Sequence, residues 1–428
     1  MRARAWVAAA ALLVGCGTAD VDRRAALDDG PIRLGAIYPL TGPVSPHGEE
    51  EYQGVATAVD LINADGGVGG DMGGRAVELV VRDAPDIESG WRAGHDLAAS
   101  ERVPIVLGTY SSTIALAATQ AVSENARVYW ETGAVADLVV TQRTPNVYRA
   151  SPSSAVLAGQ AVTFLADSLA PAHGLEPADL RLALVYENGP YGGAVGQRAA
   201  AVAEDRGIPV VADIPYDPRV EDFVDVIAAL EAVQPTVLIA ATYLDDGVRL
   251  RRALIDADVD LLAIVGKCAA FFTPEFAAAL DGQASGVFVS DKPMSVGTDG
   301  LSDAALELAE RFTAAYEQRW GEAPTASSYT GFSSAWLLLR EVLPRATGLT
   351  PAAIRAATLE VDLPLGALPN GAGALFAGPD HPFAGQNLRA LGVVWQWQGD
   401  DAVLVWPPDV ATGVADWGIA RTGAASGG

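Results

Sequence analysis

The chain has 428 residues, of which 50% are hydrophobic and 19% are charged. A single hydrophobic core rarely serves more than about 250 to 300 residues, so this length predicts two compact units, and the apolar content argues against disorder over most of the chain. Lys and Arg number 28 and Asp and Glu number 53, and the resulting net charge of −25 argues against nucleic acid as a partner.

The N-terminal segment has the layout of an export signal. Two arginines precede an apolar stretch at residues 6–14, which is too short to span a bilayer because a span takes about 20 residues. The run LVGC at residues 13–16 resembles the lipobox of bacterial lipoproteins, in which the cysteine is acylated. We therefore predict a signal peptide at 1–15, lipidation at Cys16 and a flexible tether at 16–30. An ordinary secretory peptide, or a buried helix with a chance cysteine, is the alternative, and no later apolar run predicts a second membrane segment.

Motifs for catalysis or metal binding do not occur in the sequence. If Cys16 carries lipid, Cys268 has no intramolecular partner for a disulfide. The four histidines are widely spaced, and neither an HExxH motif nor a G-x-S-x-G motif occurs. We therefore predict no cofactor, no metal site and no enzymatic activity.

From residue 32 onward, apolar strand-like runs alternate with stretches of helical spacing. This alternation is typical of an α/β fold in which parallel sheets are covered on both faces by helices. After Asp291 the sequence predicts two helices, near 302–319 and 327–345, and then short strands. The predicted strands before that point are 32–40, 75–83, 103–108, 127–131, 180–187, 208–216, 235–242 and 260–266, with helices from Glu49, near 88–101, from Ser112, and near 192–206, 220–232 and 245–257.

Two glycine-rich segments lack the arrangement of a phosphate-binding loop. Residues 66–74 (GGVGGDMGG) follow a helix and precede a strand, the reverse of the required order, so we interpret them as a turn. Residues 186–197 (YENGPYGGAVGQ) lie between a strand and a helix, but the spacing of their glycines departs from G-x-G-x-x-G. We predict no dinucleotide site at either segment.

The segment GTYSS at residues 108–112 places two hydroxyls where a strand ends and a helix begins. The free backbone N–H groups and the positive end of that helix form an anion site, to which the hydroxyls add donors. A ligand carboxylate is the natural occupant, whereas simple helix capping by Ser111 or Ser112 is the compatible alternative. Tyr110 is expected either to line the pocket or to pack in the core.

The order of these motifs resembles that of type I periplasmic binding proteins of the leucine/isoleucine/valine class, the extracytoplasmic solute receptors of ABC importers. The resemblance runs from YPLTGPVSPHGEEEYQG through GTYSSTIALAATQ and YENGPYGGAVG to GQNLRALGVVWQWQ, over about residues 31–410. It implies two Rossmann-like lobes joined by a three-strand hinge, with the ligand in the cleft between them. The implied divisions are 31–150 plus 291–361 for lobe 1, 151–290 plus 362–415 for lobe 2, a disordered tail at 416–428, and crossovers near Ala150, Ser290 and Asp362.

The resemblance also implies ligand contacts from both lobes. The family's second serine, here Ser112, contacts a ligand carboxylate, and Tyr191 and Tyr243 match tyrosines that the second lobe presents. Ala134 stands where the family usually has threonine, so Thr132, at a position whose backbone commonly meets the ligand, is a candidate. His47 occupies a position that is often aromatic, and plain surface exposure is its alternative. The full predicted set is His47, Tyr110, Ser111, Ser112, Thr132, Gly133, Ala134, Tyr191, Tyr243, Lys267 and Cys268.

One position departs from the family pattern. Amino-acid binders carry a carboxylate after the strand that corresponds to LLAIVG, where it pairs with the ligand ammonium, but here the segment reads KCAAFFTPEF. Without an acid near Cys268, a buried ammonium would cost several kcal/mol. Either Glu131 supplies the charge from the other lobe, or the ligand is not a plain α-amino acid and Lys267 favours a second anionic group.

The sequence therefore predicts an exported, membrane-anchored, monomeric solute-binding lipoprotein. Its partners would be ABC permease subunits and a small solute that carries a carboxylate or an amide, with hydrophobic and branched-chain amino acids included. A ligand-sensing receptor or regulator of the same fold is the alternative, because a partner chain can carry the signal.

Overall fold

A computed structural model of the chain describes residues 30–142, 144–294 and 296–419, without the side chains of Cys268 and Ala269. The α/β fold predicted from the sequence is confirmed, with strands and helices alternating along the chain. The strands are β1 Ile32–Tyr38, β2 Val77–Asp83, β3 Ile105–Gly108, β4 Val128–Glu131, β5 Val147–Arg149, β6 Leu182–Glu187, β7 Val210–Tyr216, β8 Val237–Ala241, β9 Ala263–Lys267, β10 Phe288–Asp291, β11 Asp362–Leu363, β12 Ala374–Leu375, β13 Val393–Gln398 and β14 Asp401–Trp406.

Helices cover the sheets and form the connections between the strands. Three of them, α2 (Ile87–His95), α5 (Ser154–Phe164) and α13 (Ala326–Trp336), continue as π-helical turns over Asp96–Ser100, Leu165–Leu169 and Leu337–Val342. The α-helices are α1 Ser45–Ala64, α2 Ile87–His95, α3 Ser112–Glu124, α4 Leu138–Thr141, α5 Ser154–Phe164, α6 Ala170–Ala172, α7 Pro190–Asp205, α8 Val224–Val233, α9 Leu244–Asp256, α10 Cys268–Phe271, α11 Pro274–Ala279, α12 Asp303–Trp320, α13 Ala326–Trp336 and α14 Pro351–Leu359.

The first sheet has five parallel strands in the order β2-β1-β3-β4-β5. Its interior strand β1 is buried at six of its seven residues, as a strand covered on both faces requires. In the register of β3 and β4, Gly108 pairs with Glu131, the last residue of each strand. The two loops that follow these strands therefore leave the same edge of the sheet side by side.

The second sheet has seven strands in the order β14-β13-β10-β9-β8-β6-β7 and is mixed. The strands from β10 to β7 are parallel, but β13 is antiparallel to β10 and β14 is antiparallel to β13. The two antiparallel strands belong to the short-strand segment after Asp291, outside the alternating part from which parallel sheets were predicted. Strand β14 is antiparallel to β13 because the turn at Gly399, whose φ is +68°, is a two-residue connection, which joins only antiparallel neighbours.

After β10 the chain returns to the first sheet, where α13 packs closely on α1. A Cβ atom on Gly54 would lie 2.0 Å from the carbonyl oxygen of Ser328, and one on Gly331 would lie 2.1 Å from that of Glu51. These glycines are therefore required for the close approach of the two helices. The contact fixes the position of α1 and of the buried side chain of Glu51.

The segment after α14 also remains at the first sheet. Arg149 forms a parallel bridge with Gln386, and the ring of Phe376 packs 5.3 Å from that of Trp130, measured between centroids. We therefore propose that the third crossover lies between Gln386 and Val393, later than the predicted position near Asp362.

The run Ser154–Ala172 comprises α5, its π-helical turn and α6. By length and composition alone, this run could cross a membrane. The prediction that no later apolar run suggests a membrane segment is therefore wrong by length and composition. About half of the run is buried, and α5 packs against α7, β10 and β13. We interpret the run as a core helix of the second sheet, since such helices meet the same criterion.

Candidate ligand-binding cavity

A cavity, here called the serine cavity, opens at the N-terminus of α3. Its lining comes from both sheets and from segments that follow strand carboxyl ends, which is where open α/β sheets bind ligands. The lining residues are Tyr110, Ser111, Ser112, Gly133, Val135, Tyr191, Tyr243 and Lys292. Six of the predicted ligand-binding residues are therefore brought together around one space.

The two serines keep their hydroxyls at the start of α3. Ser111 is the N-cap residue, but within the described chain its side chain makes no capping hydrogen bond to the helix. The Ser112 hydroxyl oxygen accepts a 3.1 Å hydrogen bond from the backbone N–H of Ala136, which leaves the hydroxyl proton for another acceptor. The capping alternative is therefore not realised, and the arrangement suits an anion at the helix N-terminus.

The loop after β4 contributes backbone rather than side chains to the serine cavity. Gly133 lines the cavity, whereas Thr132 and Ala134 are fully buried behind it. The Thr132 hydroxyl donates a 2.6 Å hydrogen bond to Oε1 of Glu51. The side chains of Thr132 and Ala134 are thus part of the wall, and within the described lining neither one reaches the cavity.

Glu131 joins the loops that follow β3 and β4. Its carboxylate accepts hydrogen bonds from the backbone N–H groups of Thr109 at 3.1 Å, Gly133 at 2.8 Å and Ala134 at 2.7 Å, and from the hydroxyl of Tyr129 at 3.0 Å. Burial raises the pKa of Glu131 to about 8, with the nearby charge of Glu51 as a secondary cause. Because its oxygens are committed to these donors, Glu131 shapes the site and does not reach a ligand ammonium.

Glu51 lies directly behind Gly133 and was missed as part of the site. A Cβ atom on Gly133 would fall 1.8 Å from Oε2 of Glu51, so only glycine leaves room for this carboxylate. Oε2 is buried and has no hydrogen-bond partner among the described residues. Burial raises the pKa of Glu51 to about 7, opposed by the charge of Lys292 and the hydrogen bond from Thr132. The sequence carried one signal for this role: Glu51 is an acidic residue four positions before Val55, on the apolar face of α1.

The second sheet contributes two tyrosines to the serine cavity. The rings of Tyr191 and Tyr243 lie 5.5 Å apart, and the Tyr191 hydroxyl donates a 3.1 Å hydrogen bond to the carbonyl oxygen of Lys267. Near Tyr191, the Glu187 carboxylate accepts hydrogen bonds from the N–H groups of Gly189 at 2.6 Å and Gly192 at 2.5 Å. The N-terminus of α7 therefore already holds a carboxylate and is not available to a phosphate group.

The cation in the serine cavity is Lys292, not the predicted Lys267. Lys267 is fully buried, its ammonium donates a 3.0 Å hydrogen bond to Ser290 Oγ, and its side chain is absent from the described lining. Lys292 directly follows β10 and is 4% exposed. No spacing pattern marked it in advance, because its position depends on the path of the chain after β10. The side chain of Cys268 lies outside the described part of the structure, as does Cys16.

A second cavity, here called the acidic cavity, adjoins the first and shares Tyr110 and Lys292 with it. The His47 ring lies 4.9 Å from the Tyr110 ring, and its Nδ1 lies 3.5 Å from Oε2 of Glu50. His47 is therefore part of a cavity wall, not plain surface. The acidic cavity is lined by His47, Glu50, Tyr110, Phe272, Thr273, Pro274, Asp291, Lys292, Thr325, Ala326 and Ser327.

This arrangement suits binding more than catalysis. The serine cavity offers hydroxyls, a helix N-terminus and an ammonium, which are groups that hold an anion. Within the described residues, no group of three or more His, Cys, Asp or Glu side chains is placed to hold a metal ion.

Residues 31–395 match the family model described as periplasmic binding protein. The Leu/Ile/Val-binding protein homolog 7 of Brucella suis is 30% identical over 404 residues, covering 94% of this chain and 96% of that protein. The homolog 8 of Brucella abortus is 29% identical over 389 residues, covering 90% and 93%.

Solved structures show the same fold at low sequence identity. The leucine-binding protein LivK of Thermotoga maritima has a TM-score of 0.72 at 17% identity, covering 87% of this chain and 97% of that one. The branched-chain amino acid transporter substrate-binding protein LivJ of Streptococcus pneumoniae, in complex with isoleucine, has a TM-score of 0.70 at 16% identity, with the same coverage.

Proposed function

Because this chain belongs to the periplasmic binding protein family, in its type I branched-chain amino acid class, we propose that it is the solute-binding component of an ABC-type uptake system. The observation that carries the proposal is the serine cavity, where a helix N-terminus and two serines from one sheet face two tyrosines from the other. The family consists of solute-binding proteins, which supports a role without catalysis and an extracytoplasmic location.

The proposed ligand is a small solute with a carboxylate. Its carboxylate would accept hydrogen bonds from the Ser111 and Ser112 hydroxyls and from the first N–H groups of α3. Val135 and the rings of Tyr110, Tyr191 and Tyr243 supply apolar surface for a short side chain. Branched-chain amino acids, which the names of the Brucella relatives suggest, and related acids or amides fit this description.

Hinge closure is the proposed mechanism. The solute would first bind the loops after β3 and β4, which Glu131 holds together, and closure would then bring Tyr191 and Tyr243 over it. The closed form would present a joint surface of both lobes to the permease. Small-angle scattering should show a smaller radius of gyration with saturating ligand, and an unchanged radius would contradict closure.

Calorimetric titration with a panel of amino acids, organic acids and amides tests the function directly. Ser112→Ala should weaken binding of the best ligand by about 1 to 3 kcal/mol, because a buried carboxylate would lose a donor. Ser123→Ala is the matched control, since its hydroxyl donates to the carbonyl oxygen of Pro145 at the other end of α3. Equal affinities of both variants and the wild type would remove Ser112 from the ligand contacts.

We also propose that the protein is anchored by lipid at Cys16. Metabolic labelling with a fatty-acid analogue, followed by membrane fractionation, should show a labelled, membrane-bound protein. Cys16→Ala should abolish both the label and the membrane association. Labelling that persists in the variant would contradict the anchor without affecting the ligand-binding proposal.

A further inference from the structure

We propose that Lys292 contacts the ligand directly and makes the serine cavity select small monocarboxylic acids that carry no ammonium beside the carboxylate. The inference rests on the proposed solute-binding function and specifies its ligand class. It differs from the branched-chain amino acids that the names of the relatives suggest.

Lys292 is a buried cation with no carboxylate at ion-pair distance among the described residues. It is 4% exposed, and no salt bridge or hydrogen bond of its ammonium is found there, although its charge acts on Asp291 and Glu51 at longer range. The nitrogen lies 5.6 Å from the centre of the Tyr110 ring, and the residue lines both the serine cavity and the acidic cavity. A buried ammonium is costly without a counter-charge, so a ligand anion at this position would offset the cost.

The groups around Lys292 favour one site for that anion. The N-terminus of α3 and the hydroxyls of Ser111 and Ser112 line the same serine cavity as Lys292. A carboxylate there would be held by a positive helix end and an ammonium together, and each favours a negative charge independently.

The same lining has no group that would accept a ligand ammonium as an ion pair. Among the described residues, no Asp or Glu lines the serine cavity. Two carboxylates behind its wall, those of Glu51 and Glu131, are fully buried behind the backbone of the loop after β4, and Glu131 is committed to N–H donors. In an α-amino acid the ammonium lies about 3 Å from the carboxylate oxygens, so it would share this cavity with Lys292 and be repelled.

A second carboxylate on the ligand is disfavoured by the neighbouring acidic cavity. Glu50 and Asp291 line that space, and Asp291 is 6% exposed beside Lys292, with Oδ1 accepting the Lys292 backbone N–H. A dicarboxylate that extended past Tyr110 would place its second charge against these acids. The chemistry therefore points to monocarboxylic acids, such as 2-oxo or 2-hydroxy acids with a short apolar side chain.

The test compares two ligands that share a carbon skeleton and differ at the α-substituent. Leucine and 4-methyl-2-oxopentanoate are titrated calorimetrically into the wild type, Lys292→Met and Lys292→Arg. The wild type should bind the oxo acid at least about tenfold more tightly than leucine. Lys292→Met should weaken the oxo acid by about 10- to 100-fold and change leucine by less than about threefold, while Lys292→Arg keeps the preference.

Each other outcome identifies which idea fails. If the wild type binds leucine as tightly as the oxo acid or more tightly, the proposed selectivity is wrong while the solute-binding function stands. An equal effect of Lys292→Met on both ligands, or no effect on either, removes Lys292 as the determinant. If no carboxylic or amino acid in the wider panel binds the wild type, the proposed function itself fails, and this inference fails with it.

Discussion

The buried pair Glu51 and Glu131 predicts that the protein is less stable in mildly alkaline than in mildly acidic solution. Burial raises the pKa of Glu51 from 4.5 to about 7 and that of Glu131 from 4.5 to about 8. Above pH 4.5 the two carboxyl groups lose their protons in the unfolded chain. In the folded chain Glu51 keeps its proton up to about pH 7 and Glu131 up to about pH 8. The free energy of unfolding therefore falls as the pH rises from about 4.5 to about 8. For Glu51 alone, the rise in pKa corresponds to on the order of 3 kcal/mol.

Urea unfolding at pH 5 and pH 8 measures this loss. The wild type should be less stable at pH 8, and Glu51→Gln should remove much of the difference, because a neutral amide has no proton to lose. Glu49→Gln is the matched control, since Glu49 is exposed on the same helix and its replacement should leave the pH dependence unchanged.

A free energy of unfolding that is constant or increases between pH 5 and pH 8 would refute the reasoning. An equal pH dependence in Glu51→Gln and in the wild type would show that Glu51 is not one of the groups responsible. Either result would mean that water or a cation reaches the carboxylate behind Gly133 in the folded protein.

Two further substitutions test the wall of the serine cavity by urea or thermal unfolding. Gly133→Ala should destabilise the protein by about 1 to 3 kcal/mol, because its Cβ atom would overlap Oε2 of Glu51, whereas Gly193→Ala, which meets nothing within 4 Å, should not destabilise it. Equal stability of the two alanine variants would contradict the tight packing of Glu51. Arg149→Met should cost about 2 to 4 kcal/mol, because the fully buried guanidinium donates to Gln386 and to two backbone carbonyls. If Arg149→Met lowers the free energy of unfolding by less than about 1 kcal/mol, water replaces the guanidinium donors.

Most strands and helices of the first 290 residues were predictable because they leave a local pattern, but strands β5 and β10 and helix α5 were not predicted. Buried parallel strands such as β8 and β9 are continuous apolar runs, and helices such as α3 begin at hydroxyl residues that follow a strand. Helix α14 was missed, because its nine residues are rich in alanine and contribute only a few buried side chains. The edge strand β7 is largely exposed, so its pattern differs from that of a central strand.

The serine cavity was predictable in part. Ser111 and Ser112 carry a local signal, a strand followed by hydroxyls and a helix, and the family resemblance added Tyr191 and Tyr243. All four line the cavity, although their contacts to a ligand stay predictions. The predicted cation Lys267 is absent from the described lining, because it ends β9 and donates to Ser290, and its contact to a ligand stays a prediction.

The sequence by itself determined the alternating α/β fold, the helix N-terminus at Ser112 and the absence of an acid near Cys268. These are properties of neighbouring residues, and hydrophobic period and local chemistry encode them. Only the tertiary structure decided that Lys292 and not Lys267 faces the serine cavity, and that Glu51 fills the space that Gly133 leaves open. Each of these depends on where distant parts of the chain meet, and no local pattern records such a meeting.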